Sequence, residues 1–310
     1  MTLLSPLRPP APAAGASADR IADLASAALI AEAELTPKPG LVDAAGSGAH
    51  HDMDLALLLK SARVLRDPFA EMARAAARAG RPSPELRAEL ARVGRRAETR
   101  MLTATGGVNT HRGAIWALGL LTGAAALTPR AGHSPRSFTD ALCATAGRIA
   151  AHPDPAAPVT GPSHGRLAAL RHGAGGARAE AAAGFPHVRL ALAALRRSRA
   201  AGGDEDSARL DALLAVIASL PDTCLLHRGG PEGLAAAQGG ARAVLDAGGS
   251  AGAPGRAALL RLDADLTARG LSPGGSADLL AAALHADALS RPAGTTADST
   301  TADSTPFDRS

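Results

Sequence analysis

The stretch DRIADLASAALIAEAEL, residues 19–35, sets the fold class. Ile21, Leu24, Ala28 and Ala31 recur at the spacing of one helical stripe, Asp19 lies near the start, and Pro37 follows where a helix must stop. The same grammar repeats along the chain. Apolar-periodic segments cover roughly 53–66, 68–79, 84–103, 109–127, 137–151, 164–171, 176–184, 187–199, 205–220, 231–247, 254–269 and 276–289, parted by short Gly- and Pro-bearing joints. No stretch alternates with period two and β-branched enrichment, so no sheet is expected. About a dozen helices without an interior linker predict an all-α fold, one compact multi-helix domain over residues 18–290.

The flanks read differently. Residues 1–17 (MTLLSPLRPPAPAAGAS) are rich in Pro and Ala and are expected to form a flexible arm. From Arg291 to Ser310 the segment TTADS occurs twice and almost nothing is apolar, so a disordered tail is expected.

Composition narrows the function. Alanine makes up about a quarter of the 310 residues, which favours helix, and aromatic residues only 2%, with a single Trp and no Tyr. Such a core packs small side chains closely and offers no stacking platform for bases. The pI of about 9.9 accompanies a net charge of only +4, because acids and arginines interleave; the only lysines are Lys38 and Lys60. A nucleic-acid binder needs a concentrated basic surface, so that class is excluded. Cys143 and Cys224 lie in no metal-ligand spacing and read as reduced, buried thiols. No apolar run approaches the roughly 18 residues of a membrane span. The N-terminal region has no signal-peptide pattern, so a cytoplasmic protein is expected.

Five joints carry more polar residues and glycines than helix packing needs. In TPKPGLVDAAGSGAHHDMD, residues 36–54, an irregular loop gathers Lys38, Asp43, His50, His51, Asp52 and Asp54 ahead of a helix expected to begin near Asp52. Carboxylates and a loop histidine there suit Mg²⁺ holding phosphate oxygens, although capping by Asp52 and a solvated Asp54 would explain them equally. In TGGVNTHRGAIWALGLL, residues 105–121, Gly106 and Gly107 read as a Gly-rich helix entry able to meet an anion, with Asn109, Arg112 and Trp116 on one face. Gly113 inside that helix costs about 1 kcal/mol against alanine, which suggests close approach by another group. Residues 163–186 bring His164, three clustered glycines, Arg178 and Glu180. In PDTCLLHRGG, residues 221–230, Asp222 is placed to cap a helix that delivers His227 and Arg228. In SPGGSADLLAA, residues 272–282, Gly274 and Gly275 precede Ser276, read as an N-cap, with Asp278 in the first turn. Each joint alone also fits plain capping or a solvated surface. Together, arginines, helix N-termini and carboxylates in one chain indicate a shared cleft for a polyphosphate ligand.

The same segments carry a family resemblance. ELTPKPGLVD, GAHHDMDL, GGVNTHRGAIWALGLL, HGAGGARAEAAAGFP, DTCLLHRGG and LSPGGSADLL, spread in order over about residues 19–289, resemble the triphosphoribosyl-dephospho-CoA synthases. THRGAIWALGLL and LRRSRAAGGDEDSARLDALLA are more similar to the branch serving malonate decarboxylase than to the citrate lyase branch. His51 and His172 depart from the pattern, without removing an acid or arginine of the motifs. The resemblance implies a pentosyltransferase. The ribose 2′-hydroxyl of 3′-dephospho-CoA attacks C1 of the ATP ribose, adenine leaves, and the product goes to the transferase that loads an acyl carrier protein.

That chemistry implies roles. Asp43, Asp52 and Asp54 are expected to hold Mg²⁺, with Glu180 and Asp222 as further candidates and as catalytic acids. His50 or His111 would move the proton. Lys38, Arg112, Arg178 and Arg228 would hold phosphates, and Gly106, Gly107, Gly274 and Gly275 would let backbone amides approach. Asn109, His227, Ser276 and Asp278 complete the substrate-binding set. Competing readings are a helical Mg²⁺-dependent hydrolase that cleaves a ribosyl bond with water, and a nucleotide-binding bundle without turnover.

Overall fold

Half of the described helices start where the sequence supplies a side-chain oxygen to cap them. A computed structural model describes residues 17–157, 167–168 and 171–292, and among them every regular element is an α-helix. They are α1 Ala18–Glu34, α2 Leu55–Val64, α3 Arg66–Ala79, α4 Pro84–Ala104, α5 Arg112–Leu127, α6 Pro135–Ala151, α7 Gly176–Ala182, α8 Pro186–Ala200, α9 Glu205–Ile217, α10 Thr223–Asp246, α11 Ala253–Ala268 and α12 Gly274–Ser290. Ser17, Asp54, Ser83, Ser134, Asp204 and Asp222 each accept a backbone N–H of the first turn that follows. Pro84, Pro135 and Pro186 occupy first positions, where a missing N–H costs nothing. Residues 1–16 and 293–310, which include the repeated TTADS, lie outside the described residues, as do His164 and most of the helix expected at 164–171.

Two of these helices form the centre. Eleven of the sixteen residues of α5 and thirteen of the seventeen of α12 are buried, the pattern of helices covered on all sides. They pack on each other and on α1, with α3, α4 and α6 around α5 and α8 and α9 around α12. The scarcity of aromatics is met by close backbone approach: a β-carbon at Gly119 would lie 2.8 Å from Met72 Sδ, and one at Gly123 2.9 Å from Leu90 Cδ1.

Some boundaries differ from the sequence reading. The segment expected as a helix from 53 begins at Leu55, capped by Asp54 rather than Asp52. The break expected before 231 is present: a short helical run from Thr223 gives way at Gly230 (φ 60°, ψ −161°), and a second run starts at Pro231, so α10 is two runs meeting at a kink. None of the described helices is long and apolar enough to cross a membrane.

Candidate active site

The joints meet where α1 ends and where α2, α5, α10 and α12 begin. Lys38 is only 1% exposed, and its ammonium donates to the backbone carbonyl and to Oε1 of Glu32 on α1, both at 2.6 Å. A buried lysine needs such a partner, because an unpaired charge in the interior is costly. Asp278, in the second turn of α12 rather than the expected first because the helix begins at Gly274, rests against the backbone of Gly113 on α5 so closely that a β-carbon there would overlap its Oδ2. The glycine in α5 therefore answers to a carboxylate. Burial and the negative charges of Glu32 and Asp222 hold Asp278 well above the usual carboxylate range, against the pull of a hydrogen bond from the Ala114 amide.

Asp222 ties two helices together. Its Oδ1 accepts from Cys224 N at 2.8 Å, capping α10, and its Oδ2 accepts from the backbone N and the hydroxyl of Ser276 at 2.8 and 2.9 Å, inside α12. A β-carbon at Gly275 would stand 2.9 Å from Oδ1, and one at Gly274 would press on Cys224 Sγ at 3.3 Å. The two glycines thus let α12 approach Asp222. Burial raises the Asp222 pKa and those donors lower it, with burial the larger effect. Ser276 is not the N-cap expected from its type: the helix begins two residues earlier, and Asp222 supplies the oxygen.

His111 is buried at the head of α5. Thr110 Oγ1 donates to Ser61 Oγ at 2.7 Å, and Ser61 Oγ lies 2.7 Å from His111 Nδ1. Ser61, already receiving the Thr110 proton, has its own to give to Nδ1, and in that tautomer the ring proton sits on Nε2, which has no partner among the described residues. Burial, with the nearby Lys38 charge, pushes the His111 pKa down to about 4. The ring is a neutral N–H donor at neutral pH.

A second group borders this one. His50 Nε2 lies 2.9 Å from Ser272 Oγ, and Nδ1 lies 3.3 Å from Arg228 Nη2 and 3.5 Å from Asp52. Burial and then the Arg228 charge lower its pKa. Arg228 also donates to the carbonyls of Ala49 and Gly270, clamping the first loop to the last. His227 lies on the exposed side of α10.

The family model for ATP:dephospho-CoA triphosphoribosyl transferases (CitG) matches residues 18–297. A protein of Azotobacter vinelandii named "probable 2-(5''-triphosphoribosyl)-3'-dephosphocoenzyme-A synthase" is 55% identical over 273 residues, 88% of this chain and 92% of that one. A relative of the same name from Pseudomonas aeruginosa is 57% identical over 270 residues, covering 87% and 90%. One from Stutzerimonas stutzeri is 51% identical over 278 residues, covering 89% and 94%. No solved structure matches. The chain belongs to the ATP:dephospho-CoA triphosphoribosyl transferase family. It is an enzyme, a pentosyltransferase.

Among the residues picked from the sequence of this transferase, Lys38, His111, Asp222, Gly274, Gly275, Ser276 and Asp278 come together, and His50, Asp52 and Arg228 lie beside them. Others have local tasks. Asp43 accepts the amides of Lys38, Ala45 and Gly46 at 2.8, 2.7 and 3.2 Å, holding the loop in shape. Asp54 caps α2 through Leu57 N at 2.8 Å. Gly106 and Gly107 end α4 instead of opening α5: both have positive φ, and Gly107 N donates back to the Leu102 carbonyl at 2.7 Å. Asn109 Oδ1 accepts from Arg112 N at 3.2 Å, and Arg112 pairs with Glu98 of α4 through Nε at 2.6 Å. Glu180 accepts the amide and ring Nδ1 of His187 at 2.8 and 2.7 Å, and lines a shallow cavity of about 220 Å³ with Gly175, Ala179 and Pro221. Arg178 is exposed on α7.

The aspartates do not fit the expected Mg²⁺ site. Asp43 and Asp54 already serve backbone amides, and Asp52 leaves 62% of its side chain in solvent. Among the described residues no group of three or more His, Cys, Asp or Glu side chains is placed to hold a metal ion. Glu32, Ser61 and Thr110 escaped the sequence reading. Glu32 left a signal: with Ile21, Ala25, Ala28 and Leu29 it makes the buried face of α1, and an acid on an apolar stripe needs a reason.

Proposed function

We propose that the chain transfers the triphosphoribosyl group of ATP to the ribose 2′-hydroxyl of 3′-dephospho-CoA, forming 2′-(5″-triphosphoribosyl)-3′-dephospho-CoA and releasing adenine. The observation that carries this reading is the pairing of unequal carboxylates, Asp278 held toward its protonated form beside a Glu32 paired to Lys38. Substitution at a glycosidic carbon passes through an oxocarbenium-like state, which needs an acid for the leaving group and negative charge beside the ring. Two carboxyl groups whose surroundings differ divide those tasks.

Asp278 gives its proton to the departing adenine as the C1–N bond breaks. Glu32, fixed by Lys38, faces the developing positive charge and takes the proton of the attacking hydroxyl as the new C1–O bond forms. Proton exchange between the two carboxyl groups restores the starting state. His111 offers its Nε2–H to a substrate acceptor. Both ring nitrogens of His50 are engaged by neighbours, so His50 with Arg228 orders the loops around the nucleotide. The N-termini of α5, α10 and α12 favour phosphate charge on this side.

The cytoplasm, where both substrates occur, is the compartment of this reading. The product serves the acyl carrier protein of malonate decarboxylase, which the likeness of THRGAIWALGLL and of residues 195–215 to that branch supports; comparing acyl carrier proteins as final acceptors tests it.

The deciding experiment follows adenine release from ATP and dephospho-CoA, with each omitted in turn and with EDTA added, and weighs the product. Adenine formed only with both substrates, together with a heavier CoA species, is the expected result. Adenine without dephospho-CoA points to a hydrolase, and a folded protein that binds ATP without releasing adenine is a binding bundle; either refutes the transfer. The EDTA arm tells whether a divalent ion is needed at all.

A further inference from the structure

Away from the paired carboxylates, Arg87 on α4 is a buried cation without a counter-ion. It is 4% exposed, its Nε has no hydrogen-bond partner, and no carboxylate lies within ion-pairing distance among the described residues. Its guanidinium lies over the ring of Trp116, 4.9 Å from the centroid. The Trp116 indole donates to the Ala177 carbonyl at 3.1 Å, which sets Arg178 next to the stacked pair. The one acid nearby, Asp154, is taken by Arg95 at 2.7 Å. Burial lowers the Arg87 pKa, Asp154 raises it, and the charges of Arg178 and Arg95 lower it again. Arg87 thus feels two neighbouring arginines and a single carboxylate, which is already paired with one of them. A buried guanidinium in this state is held at a cost that a polyanion would remove, and its planar fork suits phosphate oxygens.

We propose that Arg87, stacked on Trp116 and flanked by Arg178, is a subsite for the polyphosphate chain of a substrate. This deepens the transferase reading and rests on it for the substrate class. The triphosphate of ATP and the pyrophosphate of dephospho-CoA share that chemistry.

The sequence supplies the probe, since Trp116 is the single tryptophan and there is no tyrosine. Its emission is followed while the full chain is titrated with inorganic tripolyphosphate. A saturable change is expected, weakened at least tenfold in Arg87→Gln and several-fold in Arg87→Lys, which keeps the charge and loses the planar fork. Circular dichroism checks that each variant folds. Arg178→Gln, at an exposed position, should weaken binding several-fold and decides the matter if the Arg87 variants do not fold. Affinity within twofold of the parent in the folded variants overturns the proposal. ATP competing with tripolyphosphate assigns the subsite to the triphosphate, and dephospho-CoA competing assigns it to the pyrophosphate. Competition by neither means an adventitious ion only and overturns it. Titration and turnover fail separately: a normal titration with no adenine release removes the transferase reading alone, and turnover without a titration removes the subsite alone.

Discussion

Replacing Gly113 with alanine asks whether α5 is built to receive the Asp278 carboxylate. Gly113 has no positive φ, so its backbone gives no reason for glycine. In an ordinary helix interior the change should stabilise by about 1 kcal/mol, because alanine is the better helix former. Here the added carbon overlaps Asp278 Oδ2 and comes within 2.9 Å of its Cγ and 3.7 Å of its Cβ. Asp278 is short, so it can yield only by rotating, and rotation gives up the hydrogen bond from the Ala114 amide. Overpacking of this kind costs about 1–3 kcal/mol. The lost hydrogen bond adds about 1 kcal/mol. After the helix gain is subtracted, Gly113→Ala should destabilise by about 1–3 kcal/mol.

The double-mutant cycle isolates the cause. In an Asp278→Ala background the obstacle is gone, and Gly113→Ala should return to stabilising by about 1 kcal/mol. The coupling between the two positions is then about 2–4 kcal/mol, at or above the upper end for residues in contact. Urea unfolding of the four proteins at 25 °C, followed by far-ultraviolet circular dichroism, measures it. Adenine release gives the functional half: Gly113→Ala moves the acid off the leaving group and should lower kcat at least tenfold, equivalent to about 1.4 kcal/mol. Gly113→Ala that stabilises in both backgrounds, with turnover unchanged, would refute the placement of Asp278 and the role built on it.

Three further outcomes follow from the same geometry. Asp222→Ala strands the Cys224 and Ser276 donors and should destabilise by about 3–5 kcal/mol, with Asp222→Asn about half as severe; unchanged urea midpoints would show that the joint between α10 and α12 does not depend on it. His111 and His285 are both pushed down to about 4 by burial, from an ordinary value near 6.5, so the unfolded chain binds more protons between those values. Stability should therefore be fully present above about pH 6.5 and fall as the pH drops toward 4, by roughly 3 kcal/mol per histidine; a flat profile, or one unaltered in His285→Gln, contradicts this. Glu32→Gln should cut kcat by about a hundredfold or more, and Asp278→Asn should in addition abolish the loss of kcat/KM at rising pH; a parental alkaline limb in Asp278→Asn would take the acid role from that residue.

How far the sequence reaches is visible in α1. The class of the element, its start near Asp19 and its end before Pro37 were legible, whereas Ser17, which caps it, reads in sequence as the end of the Pro- and Ala-rich arm. Its buried face was legible only in part: Ile21 and Ala28 of the expected stripe are buried, Leu24 and Ala31 are only partly covered, and Ala25, Leu29 and Glu32 lie inside with them. In a helix so rich in alanine nearly every stripe is apolar enough to pass, so periodicity fixes the helix but not its rotation. That rotation decides whether Glu32 meets Lys38 or water. The joints were more readable, because glycine and proline mark backbone that a plain helix would not choose. Asp278 and Gly113 were both noted, yet their contact spans two helices far apart in the chain, and no local rule relates positions 113 and 278. Asp43 shows the opposite limit. In sequence it is as good a metal ligand as Asp222, and only the three amides aimed at its carboxylate reveal that it shapes the loop. An acid is therefore assigned by what already occupies its oxygens. By that measure Asp43, Asp54, Glu180 and Asp222 are committed to backbone amides and Glu32 to Lys38, while Asp278, coupled in charge to Glu32, is the acid on which the proposed transfer most depends.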